Sequence, residues 1–299
     1  MNGLPKRGSG EEASIPDGLS WLEAQAEGRR WLAQLPGLVA ECAELWSLDV
    51  GEPFADSYVS WVAPVVTHCG EPAVLKVQFA DRESEHEAAA LAAWAGDGAV
   101  LLLDRDPRRH ALLLERCVPG THLSTLPASE AEAVLIELLP RLWIAPPPEV
   151  GGVAAEAAWW ASGLAARWER SGRPFEEDLL VAALRLLERL PSTQGELVLT
   201  HQDLHADNVL SAHREPWLVI DPKPLAAERA FSLAPIIRAD ELGHSHTGVI
   251  GRLDRLSGAL GVDRERARGW ALAQTIAWAF EGDVVLPRHV QTARWLYEA

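Results

Sequence analysis

The sequence predicts an α+β fold in two lobes: a small β-rich N-lobe over 18–118 and a larger, mainly helical C-lobe over 119–299. Three observations predict it. Short segments rich in β-branched and aromatic residues alternate with turn signals up to residue 118. Alanine- and leucine-rich helical periodicity dominates after that point. Pro119-Gly120 breaks the chain between the two regimes. At 299 residues, 48% hydrophobic and 23% charged, the chain is long enough to bury a sizeable core.

Residues 1–17 are polar and glycine-rich and read as a flexible tail with no secretory signal. Leu19, Leu22, Trp31 and Leu32 lie among charges and predict an amphipathic helix over 19–35. The segments 58–66 (YVSWVAPVV) and 73–79 (AVLKVQF) predict a hairpin turned by His68 to Glu71, with Gly70 in the turn. A helix follows over 83–95, ending at Gly96. AVLLL at 99–103 and HALLLERCV at 110–118 form a second strand pair joined by the polar turn DRDPRR. Beyond it, helices are expected over 129–144, 154–170 and 176–190. A strand–loop–strand unit over 197–221 interrupts them, and helical patterns resume over 232–242, 247–260, 263–281 and 287–298.

Composition excludes several function classes. The formal net charge of −16 disfavours a nucleic-acid partner, which is bound through basic patches. It suits solubility, and it can steer a cationic small molecule. No apolar run reaches the roughly 18 residues of a membrane helix. Cysteines 42, 69 and 117 are scattered, with no CxxC pair, which fits a reducing cytoplasm.

The chemistry concentrates in THQDLHADNVL (200–210) and WLVID (217–221). Phosphoryl transfer needs a group that orients the acceptor hydroxyl, oxygen ligands for Mg²⁺ and a cation on the nucleotide phosphates. Asp203 and Asn208 have the spacing H-x-D-x-x-x-x-N of a kinase catalytic loop. Asp203 is then the hydroxyl-orienting group, and Asn208 and Asp221 are hard-oxygen ligands for Mg²⁺. Taken singly, each is an ordinary turn or cap residue; the joint spacing carries the reading.

A second demand is a lysine on a strand. The chain has three lysines, at 6, 76 and 223, and Lys76 lies inside AVLKVQF. A buried ammonium needs a carboxylate. Glu83 and Glu87 share one face of the next helix with Leu91 and Trp94, and Glu87 is the preferred partner, with Glu83 second. The segment GEPFADSYV at 51–59 has one glycine, so only the backbone amides of Asp56, Ser57 and Tyr58 offer phosphate contacts there. Main-chain groups near Glu115 and Cys117 are the candidates for an adenine edge. His201, His205 and His213 lack the company of a zinc site, and His201 is expected to bond the backbone and hold the loop. No GxSxG elbow supports a serine hydrolase.

In these pieces the chain resembles the aminoglycoside phosphotransferase superfamily, and within it the streptomycin 6-kinase and hydroxyurea phosphotransferase branch. The resemblance rests on VLK with Lys76, HEAAAL with Glu87, LLLERCVPG, THQDLHADNVL and VIDPKPLAAERAF, in order over most of 50–235. It implies a protein-kinase-like fold, ATP in the interlobe cleft and transfer to a hydroxyl of a small, often cationic antibiotic. It also implies Asp203 as the catalytic aspartate, Asn208 and Asp221 as magnesium ligands, and Lys76 with Glu87 as the phosphate-positioning pair. The usual loop begins His-Gly-Asp; here Gln202 takes the middle place. A protein kinase is disfavoured, because Pro222-Lys223 replaces Phe-Gly after Asp221 and no APE motif follows.

Candidate acceptor contacts are Asp240, Glu241, Glu281 and Asp283 as carboxylates for ammonium or guanidinium groups, Trp278 as an indole for ring stacking, and Gln202 as the catalytic-loop side chain beside the acceptor pocket. A sugar or amino-sugar kinase on the same fold is the alternative, and a non-catalytic binding protein is the third reading. The expected partner is a cationic or sugar-like small molecule. Oligomeric state and the choice between ATP and GTP leave no signature.

Overall fold

The computed structural model describes residues 14–55, 57–282 and 284–299. Most of the expected tail, Asp56 and Asp283 lie outside the described residues. The chain forms two compact units: the part up to Gly96 together with Val100–Val118, and Asp97–Ala99 together with Pro119–Ala299.

The first unit opens with a 3-10 turn, Asp17–Ala24, followed by α1, Ala26–Trp46. The single helix expected over 19–35 is therefore two elements, and α1 continues through Pro36. A mid-helix proline costs about 3 kcal/mol. Here the apolar stripe Trp31, Leu32, Leu35, Val39, Cys42 stays buried across the proline, and that burial carries the helix past it. Gly18 answers a close approach. A Cβ there would stand 2.3 Å from the carbonyl oxygen of Ser57, so only glycine lets the 3-10 turn lie against the 51–59 segment. Trp21 adds a hydrogen bond from its indole to the Tyr58 carbonyl, 2.7 Å, and a stacked ring contact with Tyr58.

Among the described residues, β1 (Leu48–Val50), β2 (Ser60–Thr67), β3 (Pro72–Gln78), β4 (Leu102–Asp106) and β5 (Ala111–Glu115) form one antiparallel sheet in the order β1-β2-β3-β5-β4. Gly70, at φ 83°, makes the β2–β3 turn. Lys76 stands on the central strand, opposite Val62 on one side and Leu112 on the other. In the second strand pair β5 lies within the expected 110–118, but β4 sits later than expected: it runs into the polar stretch, and an irregularity between Leu102 and Asp104 shifts its register. Helix α2, Glu87–Trp94, starts later than residue 83. The carboxylate of Asp81 accepts the amides of Glu83 and Ser84 and holds that stretch as a turn.

In the second unit β6 (Pro119–His122) leads through a 3-10 turn, Leu123–Thr125, into α3 (Ala128–Leu142), α4 (Val153–Arg170) and α5 (Glu177–Ser192). Strands β7 (Val198–His201), β8 (Val209–Ala212), β9 (Trp217–Val219) and β10 (Pro224–Ala227) follow. They precede a 3-10 turn, Arg229–Leu233, and α6 (Ala234–Arg238), α7 (His246–Leu260) and α8 (Arg264–Ala277). A short pair, β11 (Phe280–Glu281) and β12 (Val284–Val285), precedes α9 (Pro287–Glu298). The core of this unit includes buried Trp160 and Trp270, each in ring contact with the buried Phe231. β8 pairs with β6 and β9, and β10 pairs with β7 through Pro224 opposite His201. Neither β6 nor β10 is expected from the sequence, because PGTH and PLAA lack strand patterning and are held by their partners alone.

Candidate active site

Four hydrogen bonds shape the loop between β7 and β9. The buried ring of His201 accepts the Asp203 amide at Nδ1, 3.1 Å, so its proton lies on Nε2, which donates to the Ile220 carbonyl, 3.2 Å. The Ile220 amide donates to the Asn208 carbonyl, 2.9 Å. The Asn208 side-chain amide donates to the Asp203 carbonyl, 3.0 Å. A carbonyl only accepts, so this last bond turns the Asn208 amide oxygen the other way. Asp203, Asn208 and Ile220, the residue before Asp221, are thus tied together through one buried histidine and five backbone groups. Asp221, two residues beyond the end of β9, takes the left-handed conformation, φ 51°, a strained position for a non-glycine residue.

His201 is buried on every side, and burial pushes its imidazole down to about 4 despite the nearby Asp203 carboxylate. It is therefore neutral in the fold and titrates near 6.5 in the unfolded chain. Between those values the unfolded chain takes up a proton that the folded one refuses, so stability falls as the pH drops from about 6.5 to about 4. The expected loss is roughly 3 kcal/mol. Urea denaturation at pH 7.5 and 4.5 checks it. His201→Asn should be weaker at pH 7.5 and lose part of that pH slope.

Asp203 is the most heavily paired carboxylate of the loop. Lys223 Nζ donates to its Oδ2 at 2.7 Å, and Arg238 lies 3.4 Å from its Oδ1. Burial pushes the carboxyl up, but Lys223, His205 and Arg238 together outweigh it and hold it at about 2. Asp203 is ionised throughout the neutral range. It can orient a hydroxyl and pass its proton on, and it is too weak a base to store that proton. Sequence reasoning singles out neither cation. The scarcity of lysine is the signal that points to Lys223; nothing distinguishes Arg238 among the arginines.

His205, Asp207 and Glu241 approach one another as metal ligands do. The hydrogen bonds argue for a brace instead. His205 Nε2 receives the Asn208 amide at 3.1 Å, which leaves the proton on Nδ1, 3.7 Å from Glu241 and 4.0 Å from Asp207. Glu241 also accepts the Ala206 amide, 2.8 Å.

The other expected acceptor residues are spread out. Gln202 is buried, with its backbone bonded to Lys223 and Gln274. Asp240 faces Arg288 at 3.3 Å and His244 at 3.8 Å. Trp278 carries the Arg238 guanidinium 4.4 Å from its ring centre, with Lys223 at 5.7 Å. Glu281 is exposed on β11, and Asp283 lies outside the described residues.

In the first unit Lys76 Nζ meets Glu87 Oε2 at 2.6 Å, both side chains buried, and Gln78 donates to the same oxygen at 2.6 Å. Ser57 is buried, its hydroxyl donating to the Phe54 carbonyl, 3.0 Å. Glu115 closes β5 and accepts the Leu101 amide, 3.0 Å, and Cys117 is buried next to the unit's end at Val118.

The profile of the aminoglycoside/hydroxyurea antibiotic resistance kinases matches residues 46–282. The chain belongs to that family. It is a phosphotransferase with an alcohol-group acceptor, on a two-lobed α+β kinase-like fold. The hydroxyurea phosphotransferase of Kitasatospora aureofaciens is 40% identical over 284 residues, covering 91% of this chain and 81% of that protein. The streptomycin 6-kinase of Streptomyces griseus is 35% identical, covering 96% of this chain and 98% of that protein. The crystal structure of the choline kinase LicA from Streptococcus pneumoniae superposes with a TM-score of 0.62 at 13% identity, covering 87% of this chain and 97% of that one. At that identity the likeness concerns the fold. No helix among the described residues is long and apolar enough to cross a membrane.

Proposed function

We propose that this family member moves the γ-phosphoryl group of ATP, with Mg²⁺, to a hydroxyl of a streptomycin-like aminoglycoside. The observation that carries the reading is the hydrogen-bonded tie among Asp203, Asn208 and Ile220, the residue before Asp221. Asn208 and Asp221 fit Mg²⁺, because both are hard oxygen donors and the Asn208 amide is fixed with its nitrogen occupied. Bound there, the ion would neutralise charge on the phosphates. Asp203 orients the acceptor hydroxyl. The acceptor oxygen bonds to phosphorus, the bond to the bridging oxygen breaks with its electrons leaving on ADP, and the hydroxyl proton passes through Asp203 to solvent. Lys76, braced by Glu87, is the phosphate-gripping cation, and backbone near Glu115 and Cys117 meets the base.

A second reading has its own support. Two cations, Lys223 and Arg238, flank Asp203. They suit a small neutral acceptor of the hydroxyurea type better than a guanidinium beside the reacting hydroxyl. An ADP-release assay with streptomycin, hydroxyurea, glucose and glucosamine separates the readings. Turnover with streptomycin supports the first, and turnover with hydroxyurea alone supports the second. Turnover confined to the sugars overturns both. Asp221→Ala is expected to raise the Mg²⁺ concentration for half-maximal rate at least about tenfold; an unchanged magnesium curve would remove Asp221 from the metal site.

A further inference from the structure

We propose that Lys223 is a positioning residue of the transfer reaction, holding one oxygen of Asp203 so that the other is presented to the acceptor hydroxyl. The inference rests on the functional reading above. Three observations carry it. The Nζ–Oδ2 contact, at 2.7 Å, is a full charge-assisted hydrogen bond, whereas Arg238 stands off Oδ1 at 3.4 Å, near the outer limit of one. Arg238 also has work elsewhere, donating to Gln274 at 2.7 Å and stacked on Trp278. Oδ1 is therefore the oxygen with room for a hydroxyl.

Lys223 is anchored where the job requires. Its carbonyl accepts the amide of Gln202, the residue before Asp203, at 3.0 Å, and the β7–β10 ladder begins at the next residue. The stem starts from a fixed backbone directly across from the loop.

The third observation is composition. Of 27 basic residues only three are lysines, and Lys6 lies outside the described residues. The two described lysines each meet a carboxylate of the candidate apparatus, Lys76 with Glu87 and Lys223 with Asp203. A chain that otherwise uses arginine has reason to keep lysine here. The ammonium is a point charge that engages one oxygen, whereas the planar guanidinium fork engages both carboxylate oxygens at once and would cover the one the acceptor needs.

The test compares wild type, Lys223→Ala and Lys223→Arg in the ADP-release assay, using whichever of streptomycin and hydroxyurea the wild type phosphorylates, with thermal denaturation alongside. Lys223→Ala should lose about a hundredfold in kcat while KM for Mg-ATP stays within about threefold. Added n-propylamine should restore part of that rate saturably, which a purely structural ion pair would not show. Lys223→Arg should melt like wild type yet remain at least about tenfold slower. An Arg variant with the wild-type kcat, or an Ala variant that loses only Mg-ATP affinity, overturns the proposal alone. A wild type that phosphorylates neither compound overturns the functional reading and this proposal with it.

Discussion

Asp203→Ala is expected to lower kcat by about 10²–10⁴ while KM for Mg-ATP changes by no more than about threefold. The carboxylate orients the acceptor and touches no nucleotide atom in the proposed arrangement, so the loss belongs to the chemical step. Asp203→Asn keeps the shape and should fall nearly as far, since an uncharged amide neither accepts the hydroxyl strongly nor passes its proton on. Both substitutions leave Lys223 and Arg238 without the charge they face. Some loss of stability is expected, and thermal denaturation must be measured beside the rate. A folded Asp203→Ala enzyme with wild-type turnover would end the catalytic assignment. The carboxyl sits at about 2, so no acid limb of the pH–rate profile in the range 5–8 should belong to Asp203.

The second large effect concerns Lys76 and Glu87. Their side chains are 6% and 1% exposed, and the same Glu87 oxygen receives Gln78. Removing one partner strands a buried charge, which costs about 3–5 kcal/mol. Glu87→Leu should therefore lower the melting temperature by roughly 10 °C. Replacing both partners, as Lys76→Met with Glu87→Leu, removes the charge and its counter-charge together. Such replacements are often neutral or stabilising. The double variant should thus regain most of the stability and none of the activity, since it lacks the cation proposed to grip the phosphates. Recovery of turnover along with stability in the double variant would assign the pair to folding alone.

Much of this protein is legible along the chain. The β2–β3 hairpin shows in two β-branched segments around Gly70, and α3, α4, α5 and α9 lie close to where helical periodicity puts them. Local patterns are visible when an element's own residues dictate it. The H-x-D-x-x-x-x-N spacing and the apolar segment ending in Asp221 likewise mark one piece of chemistry because its residues are close in sequence. Glu87 over Glu83 is a preference between two residues of one expected face; the structure decides it, because α2 begins at Glu87 and Glu83 stays in the turn before it.

Tertiary structure decided what depends on partners distant in sequence. β10 exists because β7 pairs with it, and that pairing delivers Lys223 to Asp203, twenty residues earlier. Arg238 arrives from α6 and is held by Gln274 and Trp278 of later segments. Gly18 matters only because the 51–59 segment folds against it. Residue types and spacing carry the chemistry a loop can perform. Which oxygen of Asp203 is occupied, and by which cation, follows from long-range packing, where electrostatic energy depends on distances of a few ångströms that no sequence pattern encodes.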